Sequence, residues 1–306
     1  MKKRIGVIGM GNIAQKAYLP VVGQHDEIEL VGIMSRSAAA VERIGERYRI
    51  PGRYTELNQL LEQRLDAVFV HTPTETHEEV VMACLERGVH VYVDKPLSYD
   101  IQASHRMAEY ALKQNRLLAV GFNRRFSPMY QQVKEMVQQH GFDLCIAQKH
   151  RTKQQQLQAK ETLYDDLIHM IDLVLWLGGD EYVISAFKHD QDREGKLLHA
   201  AGHLSYGNST ALFSMNRRAG ADLEKVELHG AGYSVEVINM ESAVWAQPDK
   251  GQSKQSYGSW DSIAVRRGFE GIIQHFLDSL DHPEQCSISA EQVITSHQLI
   301  ERVMSS

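Results

Sequence analysis

Five short apolar runs recur along the first 121 residues, and segments of helical period lie between them. The runs are Arg4–Ile8, Ile28–Met34, Asp66–His71, Val89–Val93 and Leu117–Val120. Between and around them the spacing predicts helices over Asn12–Val22 (interrupted at Pro20), Ala38–Tyr48, Thr55–Gln63, Thr76–Arg87 and Ile101–Gln114. A strand that is apolar at nearly every position has no wet face. Its alternation with helices therefore calls for a doubly wound parallel sheet covered on both sides. Thr76 and Glu79 have the spacing of a capping box, and Gly88 stands where a helix-ending glycine belongs.

After Pro128 the texture changes. Met129–Gln139 reads as a connecting helix, Lys153–Lys160 as a polar loop or a short mobile helix, and Leu163–Leu177 as a strongly apolar helix. From Tyr182 to about Ala246, strand-like runs alternate with turns. Gly207-Asn208 is a two-residue hairpin, and a further turn falls at Gly230–Gly232. Gly251–Tyr257 reads as a polar loop, and Ile263–Leu280 and Ala290–Met304 as helices. A chain of 306 residues exceeds what one core usually serves. The expectation is an α/β domain over 1–121, followed over 122–306 by an α+β domain with a mostly antiparallel open sheet.

Composition narrows the function classes. The net charge is −6, and no basic stripe points to nucleic acid. Cys84, Cys145 and Cys286 are far apart and form no CxxC pair, so neither a disulfide framework nor a zinc cage is expected. The N-terminal apolar run is cut by glycines too early for a signal core, and no run approaches membrane-spanning length. The cytoplasm is the expected location.

"VIGMGNIA" supplies Gly9-x-Gly11-x-x-Ala14 between the first strand and the first helix. Glycines permit the tight turn and let the backbone approach a pyrophosphate, which the helix N-terminus attracts. The alternative is a plain strand–helix turn. Asn12 and Ile13 belong to the same loop. The second strand ends "MSRSA", with Ser35 and Arg36 where an acid would bond a ribose 2′-hydroxyl. Arg pairs readily with a 2′-phosphate, so NADP is favoured over NAD; the alternative is a solvent-exposed Arg.

In "ETLYDDLIHMIDLVLWLGG", Asp165, His169 and Asp172 stand at i, i+4 and i+7. At about 100° per residue they share one narrow face of an otherwise apolar helix. A carboxylate–imidazole–carboxylate stripe suits a general acid/base, since His titrates near neutrality and the acids orient it. The alternatives are a first-turn cap at Thr162/Asp165 with a core His169–Asp172 pair, or a divalent ion. No second His completes a metal motif, and no metal is expected.

These stretches, in this order, resemble the Gfo/Idh/MocA oxidoreductases, which include glucose–fructose oxidoreductase and inositol dehydrogenase. "GVIGMGNIA" looks like the family's opening loop, and "VFVHTPTETH" like its next signature, with Thr72-Pro73 and His77 in matching places. "GVHVYVDKPLS" looks like its Glu-Lys-Pro segment, "VGFNRRFSP" like the crossover to the second domain, and "YDDLIHMIDLVLWL" like its Asp-x-x-x-His-x-x-Asp helix.

The resemblance implies a Rossmann domain that binds NADP or NAD, and hydride transfer to or from a sugar, cyclitol or related polyol. It implies that Lys95 polarises the reacting oxygen, Asp94 fixes the lysine or the cofactor, and Pro96 sets the backbone, through a cis bond in relatives. His169 would move the proton, with Asp165 and Asp172 positioning it and touching substrate hydroxyls. Arg125 (with Arg124), His150 and Trp260 fall in segments that reach the substrate pocket in relatives; surface ion pairs and a core Trp are the alternatives. The partners implied are a polyhydroxylated small molecule and further copies of the chain, as a homodimer or homotetramer, with no nucleic acid and no membrane. Asp94 replaces the usual Glu, and Leu167 replaces a glycine-rich context. Two other readings stay open on the residues: a silent regulatory binder, and a glycoside hydrolase that retains NAD.

Overall fold

Lys3–Ile8 (β1) is buried from Ile5 onward and takes a parallel neighbour on each side. That placement puts it mid-sheet, and the other strands follow from it. In the computed structural model, which describes residues 1–230 and 232–305, the sheet order is β3-β2-β1-β4-β5-β6. The strands are Ile28–Met34 (β2), Gly52–Tyr54 (β3), Ala67–Val70 (β4), His90–Val93 (β5) and Leu118–Val120 (β6), with every pair parallel. The order reverses between β1 and β4, which makes the ends of those strands the switch point of a doubly wound sheet. The edge strand β3 was not anticipated. It is three residues long, too short to show a period.

The chain divides into two units, Met1–Phe122 with Phe269–Ile294, and Asn123–Gly268 with Thr295–Ser306. The sequence reading placed all of 122–306 in one domain. Phe269–Ile294 instead belongs to the first unit, and aromatic packing shows why. Phe276 lies edge-on to Phe69 and Tyr92, with ring centres 5.3 and 5.5 Å away, and Phe269 lies 5.3 Å from Tyr18. Ile288 also accepts a backbone hydrogen bond from Val120 at the end of β6. Ile263–Leu280, expected as one helix, breaks into Ile263–Arg266 and Phe269–Ser279. Between them Gly268 has φ +77°, and a Cβ there would lie 2.3 Å from the Asn123 carbonyl oxygen.

The second unit carries an eight-stranded sheet in the order β14-β13-β12-β11-β7-β10-β9-β8. Its strands are Leu144–His150 (β7), Val183–Gln191 (β8), Leu197–Tyr206 (β9), Ser209–Asn216 (β10), Leu223–Gly230 (β11), Tyr233–Ile238 (β12), Ser242–Gln247 (β13) and Gly251–Ser256 (β14). Only β7 and β10 pair in parallel among the described residues. The hairpin at Gly207-Asn208 forms as expected, with Gly207 at φ +59°. Of the expected turn at Gly230–Gly232, Ala231 lies outside the described residues. Gly251–Ser256 is an edge strand where a loop was expected. Its sequence is polar throughout because it is exposed along nearly its whole length, so burial leaves no pattern in it.

Alternation decides which side chains of β7 face the helix Ile168–Gly178. Cys145, Ala147 and Lys149 are buried, while Ile146, Gln148 and His150 point to the other side. Phe276→Ala should cost about 3–5 kcal/mol by emptying a fully buried aromatic site. Urea unfolding followed by far-ultraviolet circular dichroism reads this as a lowered midpoint. An unchanged midpoint would contradict the assignment of Phe269–Ile294 to the first unit.

Candidate functional site

In the first unit the backbone at the switch point is drawn tight. Gly9 has φ +91°, and a Cβ on it would fall 2.6 Å from the carbonyl carbon and oxygen of His71. No other residue type fits there. Gly11 is different: a Cβ there would meet only the His71 oxygen, at 4.0 Å, so the loop leaves open room above it. Beyond lies a cavity of about 970 Å³, lined by Gly9, Gly11, Ser35, Arg36, Thr72 and Pro73 among others. Asn12 and Ile13 are exposed on the same loop without lining that cavity. Glu56 lines it too, a carboxylate that the sequence reading did not consider.

The helix that follows this loop is not regular. Ala14–Tyr18 is a π turn and Leu19–Val22 an α turn, with the Leu19 N–H bonded to the Ala14 carbonyl. Pro20 has no N–H to give, so the α ladder cannot run through it. The wider turn seats a buried Tyr18 among the aromatic rings.

Asp94, one residue beyond β5, is turned inward. His71 Nδ1 lies 2.8 Å from one carboxylate oxygen, and the Tyr18 hydroxyl donates to the other over 3.1 Å. The hydroxyls of Tyr92 and Tyr18 are 2.7 Å apart. Since Tyr18 spends its hydrogen on the carboxylate, Tyr92 must be the donor to Tyr18. Burial alone would raise the Asp94 pKa. His71, by charge and hydrogen bond, together with Lys95 and His77, outweighs it and holds the carboxyl below its ordinary value. Burial first, and Asp94 second, push Tyr18 well above the usual phenol. The ionised Asp94 requires the hydrogen on His71 Nδ1. Nε2 of the same ring is buried and without a protein partner among the described residues, as is Thr72 Oγ1. A cavity edged by two orphaned polar atoms and a glycine cradle suits a dinucleotide.

His77 was expected at the cofactor. It is 1% exposed instead, with Nδ1 3.0 Å from the Pro96 oxygen and Nε2 3.1 Å from the Thr72 oxygen. Burial lowers its pKa despite those carbonyls and Asp94. It ties the loop after β4 to the loop after β5. The expected Thr76 cap does not form: its hydroxyl donates back to the Pro73 carbonyl, because a short 3₁₀ turn, Thr74–Thr76, precedes the helix. Lys95 is half-buried, and the Lys95–Pro96 peptide is cis.

In the second unit a second π turn, Leu163–Leu167, precedes the helix Ile168–Gly178. The Ile168 N–H reaches back to the Leu163 carbonyl, five residues away. Asp165 accepts a hydrogen bond from the Gln155 amide, and Asp166 turns inward to Lys149 and Arg217. Asp172 was expected at the substrate and is 1% exposed. Both its oxygens are held by Arg125, through Nη2 at 2.7 Å and Nε at 2.9 Å, and Ser296 donates at 3.0 Å. Asp172 and Arg125 thus form a buried ion pair.

Arg124 grips Glu224 with two bonds of 3.0 Å each, and its Nη1 lies 3.1 Å from His169 Nε2. A guanidinium only donates, so His169 Nε2 is the acceptor and carries no hydrogen. Burial would raise the Glu224 pKa, but Arg124, Lys149 and Arg151 hold it at about 2. Burial, with Arg124 and Arg151, brings the Lys149 amine down to about 8. His150, an expected substrate contact, points from the opposite sheet face and accepts a bond from the Asn216 N–H at 3.1 Å. Its neighbour Lys149 occupies the helix-facing position. Trp260, also expected at the substrate, is 98% exposed. His71, Lys149, Arg151, Asp166, Arg217 and Glu224 were missed; strand alternation through "AQKHR" was the one signal that could have favoured Lys149 over His150.

Comparison with known proteins agrees with this architecture. Residues 3–122 match the model of the oxidoreductase family with an NAD-binding Rossmann fold, and 128–247 match a YceM-like C-terminal domain. A relative from Salmonella typhimurium, YceM, whose name assigns it provisionally to the oxidoreductases, is 35% identical over 97% of this chain and 96% of its own. A crystal structure of the dehydrogenase MviM from Clostridium difficile superposes with a TM-score of 0.94 at 32% identity, over 100% of this chain and 99% of that one. A Gfo/Idh/MocA oxidoreductase from Vibrio cholerae gives 0.89 at 28% identity, over 99% and 97%. The chain belongs to the Gfo/Idh/MocA oxidoreductases. It is an NAD(P)-dependent dehydrogenase or reductase.

Glu224 gives a test with a definite sign. Its folded pKa lies below its unfolded value of about 4.3, so its contribution is complete above that value and is lost as pH falls toward about 2. Glu224→Gln should cost about 3–5 kcal/mol at neutral pH by stranding Arg124, and should flatten the loss of stability on acidification. Urea unfolding at stepped pH measures both, and an acid limb unchanged by the substitution would contradict the buried pair.

Proposed function

We propose that this enzyme uses NADP in preference to NAD, and that it oxidises a hydroxyl or reduces a carbonyl on a sugar, cyclitol or related polyol. The observation that carries the nucleotide reading is the switch-point cavity, with Gly9 locked against His71, open room above Gly11, and Arg36 and Ser35 on its wall. Ser35 and Arg36 suit a 2′-phosphate, and Thr72 Oγ1 and His71 Nε2 offer polar contacts. The polyol reading is supported by relatives such as the myo-inositol 2-dehydrogenase of Thermotoga maritima. It is 34% identical over 44% of this chain and 40% of its own.

The bound nicotinamide would supply or accept a hydride, which leaves the chain to position the substrate and move a proton. Lys95 directs its ammonium to the reacting oxygen, and the inward-turned Asp94 beside it anchors that strand end. During oxidation His169 takes the hydroxyl proton on Nε2 as the carbon gives up its hydrogen with the electron pair. Nε2 has a single lone pair, which accepts from Arg124 over 3.1 Å, so that bond must open before the ring takes the proton. Asp172 and Arg125 act indirectly, by fixing the helix that carries His169. The same reading makes the chain a cytoplasmic homodimer or homotetramer.

The test is steady-state kinetics with a panel of sugars, cyclitols and their keto forms, following nicotinamide absorbance. Lys95→Ala and His169→Ala should each lower kcat by about 10²–10⁴-fold while NADPH affinity stays within about threefold. Arg36→Ala should weaken NADPH and leave NADH unchanged. Turnover that survives both Lys95→Ala and His169→Ala would overturn the assignment of roles.

A further inference from the structure

Three strand ends stand in a row along the switch-point cavity. The Gly9 N–H bonds the Met34 carbonyl at 2.8 Å, and the Ser35 N–H bonds the Tyr54 carbonyl at 3.1 Å. Ile8 pairs with Met34, and Met34 with Tyr54, so the row runs from β1 through β2 to the edge strand β3. Neighbouring strands lie about 4.8 Å apart, which puts the end of β3 about 10 Å from that of β1.

A dinucleotide laid along this row meets the strands in a fixed order. The pyrophosphate belongs to the glycine loop after β1, and the adenosine ribose to the end of β2. The base hangs on that ribose, on the side away from the pyrophosphate, and so reaches the end of β3. Two half-buried apolar residues of the cavity wall, Ala40 and Leu57, follow β2 and β3 and suit the face of a purine. Between β3 and Leu57 stands Glu56, on the same wall. The 2′-phosphate stays with the ribose, beside Ser35 and Arg36.

Glu56 is an uncommitted acid. It precedes the helix Leu57–Leu61, yet its side chain accepts no hydrogen bond from that helix. Arg36 lines the same cavity, and the two form no ion pair among the described residues. A carboxylate only accepts. Adenine turns a donor outward, its exocyclic amino group, where a base with a carbonyl in that place turns an acceptor.

We infer that Glu56 is a specificity residue for the base of the nucleotide, its carboxylate accepting a hydrogen bond from the adenine amino group. The inference deepens the proposed nucleotide site and rests on it, but it holds for NADP and NAD alike. Glu79 is the natural control. It also lines the cavity, but it belongs to the helix His77–Glu86 after β4, and β4 flanks β1 on the side away from β3.

The full-length protein is titrated with NADPH and with its hypoxanthine counterpart, in which a carbonyl replaces the amino group, and then with NADH and its hypoxanthine counterpart. Energy transfer from tryptophan reads the binding. The hypoxanthine forms should bind about fivefold or more weakly, because they turn an acceptor toward the carboxylate. Glu56→Gln, whose carboxamide can meet either base, should bring the two bases within about twofold of each other. Glu79→Gln should leave the preference intact, and circular dichroism should be unchanged in both variants. Equal binding of the two bases by the natural chain, or a preference undiminished in Glu56→Gln, would overturn the inference. So would a Glu56→Gln variant that binds NADPH more tightly with the same base preference, since the carboxylate would then face the 2′-phosphate. Each of these outcomes leaves the dinucleotide site standing. No saturable binding of any of the four nucleotides would remove both.

Discussion

The contact on which the first unit depends is the approach of the loop after β1 to the backbone of His71. It is closer than any side chain would permit, and it fixes the glycine loop against the end of β4. The same residue then does a second job with its side chain. His71 Nδ1 holds Asp94, Asp94 orders the hydroxyls of Tyr18 and Tyr92, and the next residue is Lys95. The nucleotide cradle and the strand end that carries the lysine are therefore one connected piece of polar structure. His77 reinforces it by facing the backbone carbonyls of both loops. None of these links needs a ligand to form, which is the condition for a preorganised site.

The second unit rests on a different device, a set of buried charges that hold one another in place. Arg125 with Asp172 is a closed pair, and Arg124 with Glu224 presents its remaining N–H to His169. Two π turns, one in each unit, mark where the regular helix gives way to these requirements. The first accommodates Pro20 and seats Tyr18. The second accompanies the inward turn of Asp166 to Lys149 and Arg217. Helical irregularity of this kind is frequent where side chains must be aimed.

How much of this was legible in the sequence follows from what carries each signal. The parallel sheet was readable because β1, β2, β4, β5 and β6 are apolar at nearly every position, and the glycine loop was readable because Gly9 has no substitute. β3 and β14 escaped, one for its brevity and the other because an exposed edge strand has no burial pattern. The return of Phe269–Ile294 to the first unit is a tertiary fact: Phe276 meets Phe69 and Tyr92 across more than 180 positions of sequence. In the site, the π turn at Leu163–Leu167 and the inward turn of Asp166 to Lys149 and Arg217 leave no mark in the helical spacing. His150 was preferred to Lys149 by residue type, although strand alternation separates them by a full sheet face. The pairing of Asp172 with Arg125 is likewise invisible in the sequence, because nothing in its own helix shows it.

The central claim is that the switch-point cavity holds a nicotinamide dinucleotide. The most direct measurement is a fluorescence titration of the purified chain with NADPH, by energy transfer from tryptophan, beside Gly9→Val. The account predicts saturable binding by the natural chain, and loss of that binding in the variant, whose side chain cannot fit against His71 without displacing the loop. A folded protein, free of retained cofactor, that shows no saturable binding of NADPH or NADH would contradict it.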